Sequence, residues 1–462
     1  MTDTTDRNPQ KVNLIKEAAK LSEAKTFLLQ EFSADASEEP APVSEKTEQS
    51  PLPPEKTDPP PAAESVPAPL PDETVTRHTI SLWKYLPVPA AEPEPFPEYV
   101  TSETEIPGGK LLAARVRGKK HKHEGTNCDD WYEAAVSGKA TIIAVSDGAG
   151  SKKFSRVGAR AACKVAAGYL ARGMEDIFRR NPELSGTLGL PLTDPQCQAA
   201  CGLLAETVQQ AVLKAYAAVE TAFYVRAAEP AYTAVLGRRL ELTDLSGTLL
   251  LAAALPVNGE RLVVSCQVGD GLIALLNTKG SFSSALKLMG EADSGEFSGE
   301  TDFLTSEKMH DINTLKSRTK IFCGTVDTVL VMSDGVADDY FPFQPGIQRL
   351  YIDLAANGIL EDGGPVSLTP RQARLFKRLP DPLEYPWVND PSVPVALHYA
   401  QRLCDAAGLT LQDLWDDRII LRCLEPEGRM KAASPKERLK IWLDNYVVRG
   451  SFDDRTLVIA QI

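Results

Sequence analysis

The chain has 462 residues, 43% of them hydrophobic, and 50 basic against 63 acidic side chains leave it a net charge of −13. That apolar share excludes wholesale disorder, and the length allows two or three units at roughly 100–200 residues each. The acidic balance excludes a general nucleic-acid or anionic-membrane binder, and no run approaches the roughly 18 uninterrupted apolar residues of a membrane span.

The opening MTDTTDRNPQ lacks the charged-then-apolar order of a secretory signal, so a cytoplasmic location without membrane or nucleic-acid partners is the expectation. From Lys11 to Phe32 helix formers dominate, with Leu14, Ala18, Leu21, Leu28 and Phe32 near helical spacing, which predicts an amphipathic helix within residues 1–35. Residues 36–105 are rich in proline and acid and carry no apolar period, and they read as a disordered linker. Its PxxP match, Pro51 to Pro54, arises easily from composition. A globular part is expected over 106–462. LLAARVRG and ATIIAVSDG read as strands, Ser155 to Arg180 and Pro195 to Arg226 as long helices, and SGTLLLAAAL, ERLVVSCQVGDGLIALL and DTVLVMSDGVADD as further strands. A helix-leaning insertion over about 340–440 follows, with VALHYAQRLCDAAG and SPKERLKIWLDNYV as its clearest helices, and the chain closes on the strand DDRTLVIAQI. Two strands, two helices and then strands again point to α+β layering, not alternating βα units. The eight cysteines are scattered, with Cys197 and Cys201 the one close pair, so they read as reduced, mostly buried thiols and not as a zinc site.

One pattern occurs three times, an apolar strand ending in a small residue, then Asp, then Gly: Asp147–Gly148, Asp270–Gly271 and Asp334–Gly335. Two acidic pairs join it, Asp129–Asp130 between the first strands and Asp453–Asp454 before the last. Asp-Gly is also a common turn dipeptide, so one instance says little. Three at the ends of strongly apolar runs put carboxylates on one rim, where they raise one another's pKa and repel. A divalent cation removes that conflict, and oxygen-only ligands favour Mg²⁺ or Mn²⁺ over Zn²⁺. Glycine after each Asp lets a backbone carbonyl approach an ion. Two ions about 3.5–4 Å apart can activate a bridging water for displacement at phosphorus.

These segments resemble, in order, the motifs of the PP2C (PPM) family of metal-dependent serine/threonine protein phosphatases, its bacterial branch in particular. The first is RGKKHKHEGTNCDDWYE, with Gly118, His121, Asp129 and Asp130; then come VSDGAGSKKFSRVGARAA, LSGTLLLAAA with QVGDGLI, VMSDGVADD and GSFDDRTLVIA. The resemblance implies a β-sandwich flanked by helix pairs, with a two-metal centre in a cleft at one end. It assigns metal ligation, and through it catalysis, to Asp130, Asp147, Asp334 and Asp453, with the carbonyl of Gly148 beside Asp147. Asp270 and Asp338 match the place where some members hold a third, looser ion. The implied reaction is hydrolysis of phosphoserine or phosphothreonine on proteins by a metal-bound water, in opposition to a serine/threonine kinase. The pattern also departs from the family. Gly125 stands where many members have a phosphate-clamping arginine, which leaves His121 and His123 as candidate substrate contacts. Ala149 stands where animal enzymes place a histidine. Lys152, Lys153 and Arg156 could face a phosphopeptide or begin a solvated helix. Tyr340 and Phe341 are expected to line the cleft, and the rest of the insertion to pack on the sandwich. A catalytically weak phosphoprotein-binding module and a small-metabolite phosphatase are the competing readings.

Overall fold

The computed structural model describes residues 82–278, 286–290, 302–357, 359–360, 433–446 and 452–462. The expected helix over 11–32, the PxxP match and VALHYAQRLCDAAG lie outside them. From Thr79 onward the chain forms one unit.

Among the described residues, one antiparallel sheet has the order β1 (Tyr99–Ile106), β2 (Gly109–Val116), β11 (Arg455–Gln461), β10 (Thr328–Met332), β7 (Leu272–Leu276) and β8 (Leu286–Leu288). The second runs β3 (Trp131–Ser137), β4 (Ala140–Ser146), β5 (Leu249–Val257), β6 (Glu260–Val268) and β9 (Thr319–Gly324), also antiparallel. Successive side chains of a strand point to opposite faces. Leu111, Ala113, Ile273, Val329, Val331 and Val458 therefore turn inward and meet Ile143, Val145, Leu250, Ala252 and Val263 of the second sheet. Their neighbours Leu112, Ala114, Leu272, Leu330, Met332 and Leu457 turn outward. There they pack on Leu350 and Leu354 of α5 (Phe343–Ala356) and on Leu439, Trp442 and Leu443 of α6 (Pro435–Asn445). A sheet covered on both faces needs apolar residues on both, which is why its inner strands carry long apolar stretches.

The second sheet is covered by α2 (Ser155–Arg180), lying on β3 and β4, and by α3 (Pro195–Ala227), lying on α2 and reaching β6 and β9. The Asp194 side chain caps α3 by accepting from the Gln196 N–H, with Pro195 at its first position. Gly158 lets α2 come close, since a Cβ there would fall 1.9 Å from the Leu245 carbonyl oxygen. The α+β sandwich with helix layers expected from sequence is the observed fold.

Two expectations change. Composition extends the linker to residue 105, but residues 82–98 form a strap across the domain and β1 occupies 99–106. Phe96 is its anchor, 7% exposed. The Arg115, Arg156 and Arg160 guanidiniums lie 5.7, 5.9 and 5.6 Å from its ring centroid, and Trp131 packs edge-on to it. The described parts of the insertion pack on the sandwich as expected, but Tyr340 is buried and does not line a cleft, whereas Phe341 is 71% exposed. Cys128, Cys163, Cys197, Cys201 and Cys266 are buried free thiols, and Cys323 is half-buried and free. No helix among the described residues is long and apolar enough to cross a membrane.

Candidate metal centre

β4 ends at Ser146, whose hydroxyl donates to the Thr248 carbonyl at 2.6 Å. The next N–H, of Asp147, donates to the Thr248 hydroxyl at 2.9 Å, so the turn that carries Asp147 is pinned to the start of β5. Gly148 is buried and bridges Gly247, and a Cβ on it would meet the Asp129 carbonyl oxygen at 2.5 Å. Asp130, fully buried before β3, accepts from the Ser333 hydroxyl at 2.8 Å and the Thr456 hydroxyl at 2.6 Å on one oxygen. Its other oxygen is buried without a hydrogen-bond donor. Asp334 opens α4 (Asp334–Ala337) at the end of β10. A Cβ on the following Gly335 would fall 2.0 Å from the Asp454 carbonyl oxygen, so that glycine is what lets the fourth and fifth motifs touch. Asp270 sits between Gly269 and Gly271, at φ +91° and +89°, a backbone region that other residues rarely adopt.

Carboxylate oxygens of Asp147, Asp270 and Asp334 lie within 4.8 Å of one another. Burial and the neighbouring charges of Asp334, Asp130 and Asp453 hold the Asp147 carboxyl well above the usual range. Asp334 is pushed up to about 7 by burial and by Asp270, and Asp130 to about 6 by burial and by Asp454. Asp338, further out, is raised by partial burial and by Asp270. Crowded carboxylates, one of them with an orphaned buried oxygen, fit a hard divalent cation.

The structure thus brings Asp130, Asp147, Asp270, Asp334 and Asp453 into mutual electrostatic contact and sets Gly148 next to them. Asp270 lies within ligand distance of Asp147 and Asp334. The two histidines take other partners than a substrate. His121 is buried against Asp454, and His123 accepts the Lys84 N–H and packs edge-on to Trp83 of the strap. Arg156 neither faces a phosphopeptide nor begins a solvated helix. It is buried, donating to the Glu92 carboxylate and to the carbonyls of Pro93, Glu94 and Lys153. Arg117 is buried as well, donating to Glu98 and to the carbonyls of Leu86 and His121. Sequence reasoning passed over Ser333 and Thr456, which hold the Asp130 carboxylate, and Thr248, which holds the backbone of the Asp147 turn. The small polar residue before Asp-Gly and the Ser-Gly-Thr before β5 were the available signals.

No curated protein matches the chain. Solved structures similar to it include a bacterial serine phosphatase (12% identity over 76% of this chain and 97% of its own, TM-score 0.30). Serine/threonine phosphatase Stp1 from Staphylococcus aureus is 11% identical over 79% of this chain and 97% of its own, with TM-score 0.32. The catalytic domain of the serine/threonine protein phosphatase PstP, solved with 2 manganese ions, is 13% identical over 76% and 96%, with TM-score 0.30. The family model for protein phosphatase 2C matches residues 117–360, over half of the chain. That span holds the first four motifs, and the fold brings the fifth, with Asp453, back to them through β11. The chain belongs to the protein phosphatase 2C family.

Proposed function

We propose that the chain hydrolyses phosphoserine or phosphothreonine esters on proteins at a Mn²⁺ or Mg²⁺ centre and so opposes a serine/threonine kinase. The observation that carries this reading is the close group of Asp147, Asp270 and Asp334 beside the orphaned oxygen of Asp130. Cations bound there supply neutralisation of phosphate charge and Lewis-acid activation of the attacking water. The chain's own part is orientation. Ser333 and Thr456 fix one Asp130 oxygen and leave the other for a ligand, and the Asp147 turn is locked from both sides by Ser146 and Thr248. Preorganised ligands of this kind spend no reorganisation energy at the moment of reaction.

One observation favours a second reading, a weakly catalytic phosphoprotein-binding module. The arginines flanking the first two motifs, Arg117 and Arg156, are engaged with the strap and do not offer a fork to a phosphate. Comparing Mn²⁺-dependent hydrolysis of a phosphothreonine peptide with that of a small phosphorylated metabolite, such as a sugar phosphate, tests the proposal. It expects kcat/KM to favour the peptide by at least about tenfold, or roughly 1.4 kcal/mol in the barrier. Equal or reversed preference contradicts a protein substrate, and binding of the peptide without turnover supports the module.

A further inference from the structure

His121 has a geometry that the proposed reaction does not use. It lies on α1 (Lys119–Glu124), a short helix ended by Gly125 at φ +71°, whose N–H returns to the His121 carbonyl. Arg117 donates to the same carbonyl at 2.8 Å. The ring is 3% exposed, with Nδ1 2.8 Å from an Asp454 carboxylate oxygen and Nε2 3.9 Å from Asp453. The two Asp454 oxygens also accept the Gly118 N–H at 2.6 Å and the Asp129 N–H at 2.5 Å. One carboxylate therefore closes both ends of the 118–129 loop onto the last motif, and the buried His121 ring sits against it from the middle of that loop. Asp454 spends both oxygens on backbone N–H groups, which favours a latch over a separate cation site formed with His121 and Asp129.

We propose that His121 is a positioning residue that latches the Asp453–Asp454 turn to the first motif and thereby sets where the Asp453 carboxylate meets the cation. This rests on the metal-centre reading above. Ligand-orienting partners of this kind change metal affinity by roughly 10–100-fold when removed. Mn²⁺ binding to the full chain, followed by the EPR signal of free Mn²⁺, should weaken by about that factor in His121→Gln. His123→Ala, on the same helix but turned to the strap, should bind as the wild type does. A His121→Gln protein with wild-type affinity overturns the latch and leaves the phosphatase reading intact, whereas a wild type that binds no Mn²⁺ overturns both. Should His121→Gln fail to fold, the wild type still decides. The chain has five histidines, and with ¹⁵N-labelled imidazoles the His121 resonances should shift on saturation with Mg²⁺. His121 signals that stay in place overturn the proposal.

Discussion

Asp147 carries the strongest electrostatic conflict at the candidate centre, with Asp130, Asp334 and Asp453 all repelling its charge. The consequence is a signed pH dependence. Each raised carboxyl contributes stability that is complete below its unfolded value, near 3.9. That stability is lost as pH rises through the folded value, about 6 for Asp130 and about 7 for Asp334. His121 has the same sign. Burial pushes its pKa down, but Asp454 and the neighbouring acids outweigh burial and raise it to about 9, so its contribution is whole below its ordinary value and fades through 9. Burial pushes Asp454 up, but His121 and the Gly118 and Asp129 N–H groups together outweigh burial and hold it low, so it acts only in stronger acid. In EDTA the melting temperature should fall by several degrees between about pH 5 and pH 9. Saturating Mg²⁺ should flatten that slope, because cation binding takes the place of protons. A melting temperature in EDTA that rises over the same interval contradicts the assigned crowding. Asp147 and Asp334, with Asp270, were legible in the sequence because each follows an apolar run and precedes glycine. The hydroxyls of Ser333 and Thr456 were not, since their role exists only once β10 and β11 lie side by side.

At the scale of elements, the strap is the feature that sequence patterning misread. Proline and acid make residues 82–98 look like linker, and composition cannot say that Glu92 meets Arg156 and Lys153 or that Glu94 meets Arg226 and Tyr232. Phe96 between two prolines, with Trp83 and Tyr85 upstream, was the signal available. Removing a buried phenylalanine costs roughly 3–5 kcal/mol, so Phe96→Ala should lower the urea-unfolding free energy by an amount in that range. A loss under about 0.5 kcal/mol, the scale of an ordinary surface change, would show that the strap is not part of the fold. The two glycines that bring motifs together make a second case. Ala at position 335 forces its Cβ onto backbone, a clash of the kind that costs about 1–3 kcal/mol. Gly335→Ala should therefore lower both the melting temperature and Mn²⁺ affinity in calorimetry. Unchanged affinity would mean that the Asp334 and Asp454 turns move independently.

On the scale of the whole molecule, four layers set the site: helices, two antiparallel sheets, and helices again. The strands legible in the sequence, β2, β4, β5, β6, β7, β10 and β11, are all interior to their sheets and carry long apolar stretches. The four that were not singled out, β1, β3, β8 and β9, are the edges. Edge strands carry polar residues because one side of the ladder faces water, as in YVTSETEI of β1, and this erases the apolar run that would betray them. The interior strands are the ones whose ends carry Asp147, Asp270, Asp334 and Asp453, so the site was more legible than the perimeter. The central claim is that these carboxylates hold the cation for phosphoester hydrolysis. Its most direct test is release of phosphate from a phosphothreonine peptide, with and without millimolar Mn²⁺, by wild type and Asp334→Asn. Mn²⁺-dependent release by the wild type, reduced to background in a folded Asp334→Asn protein, is the predicted result. Equal release by both proteins, or none from a folded wild type loaded with Mn²⁺, would contradict it.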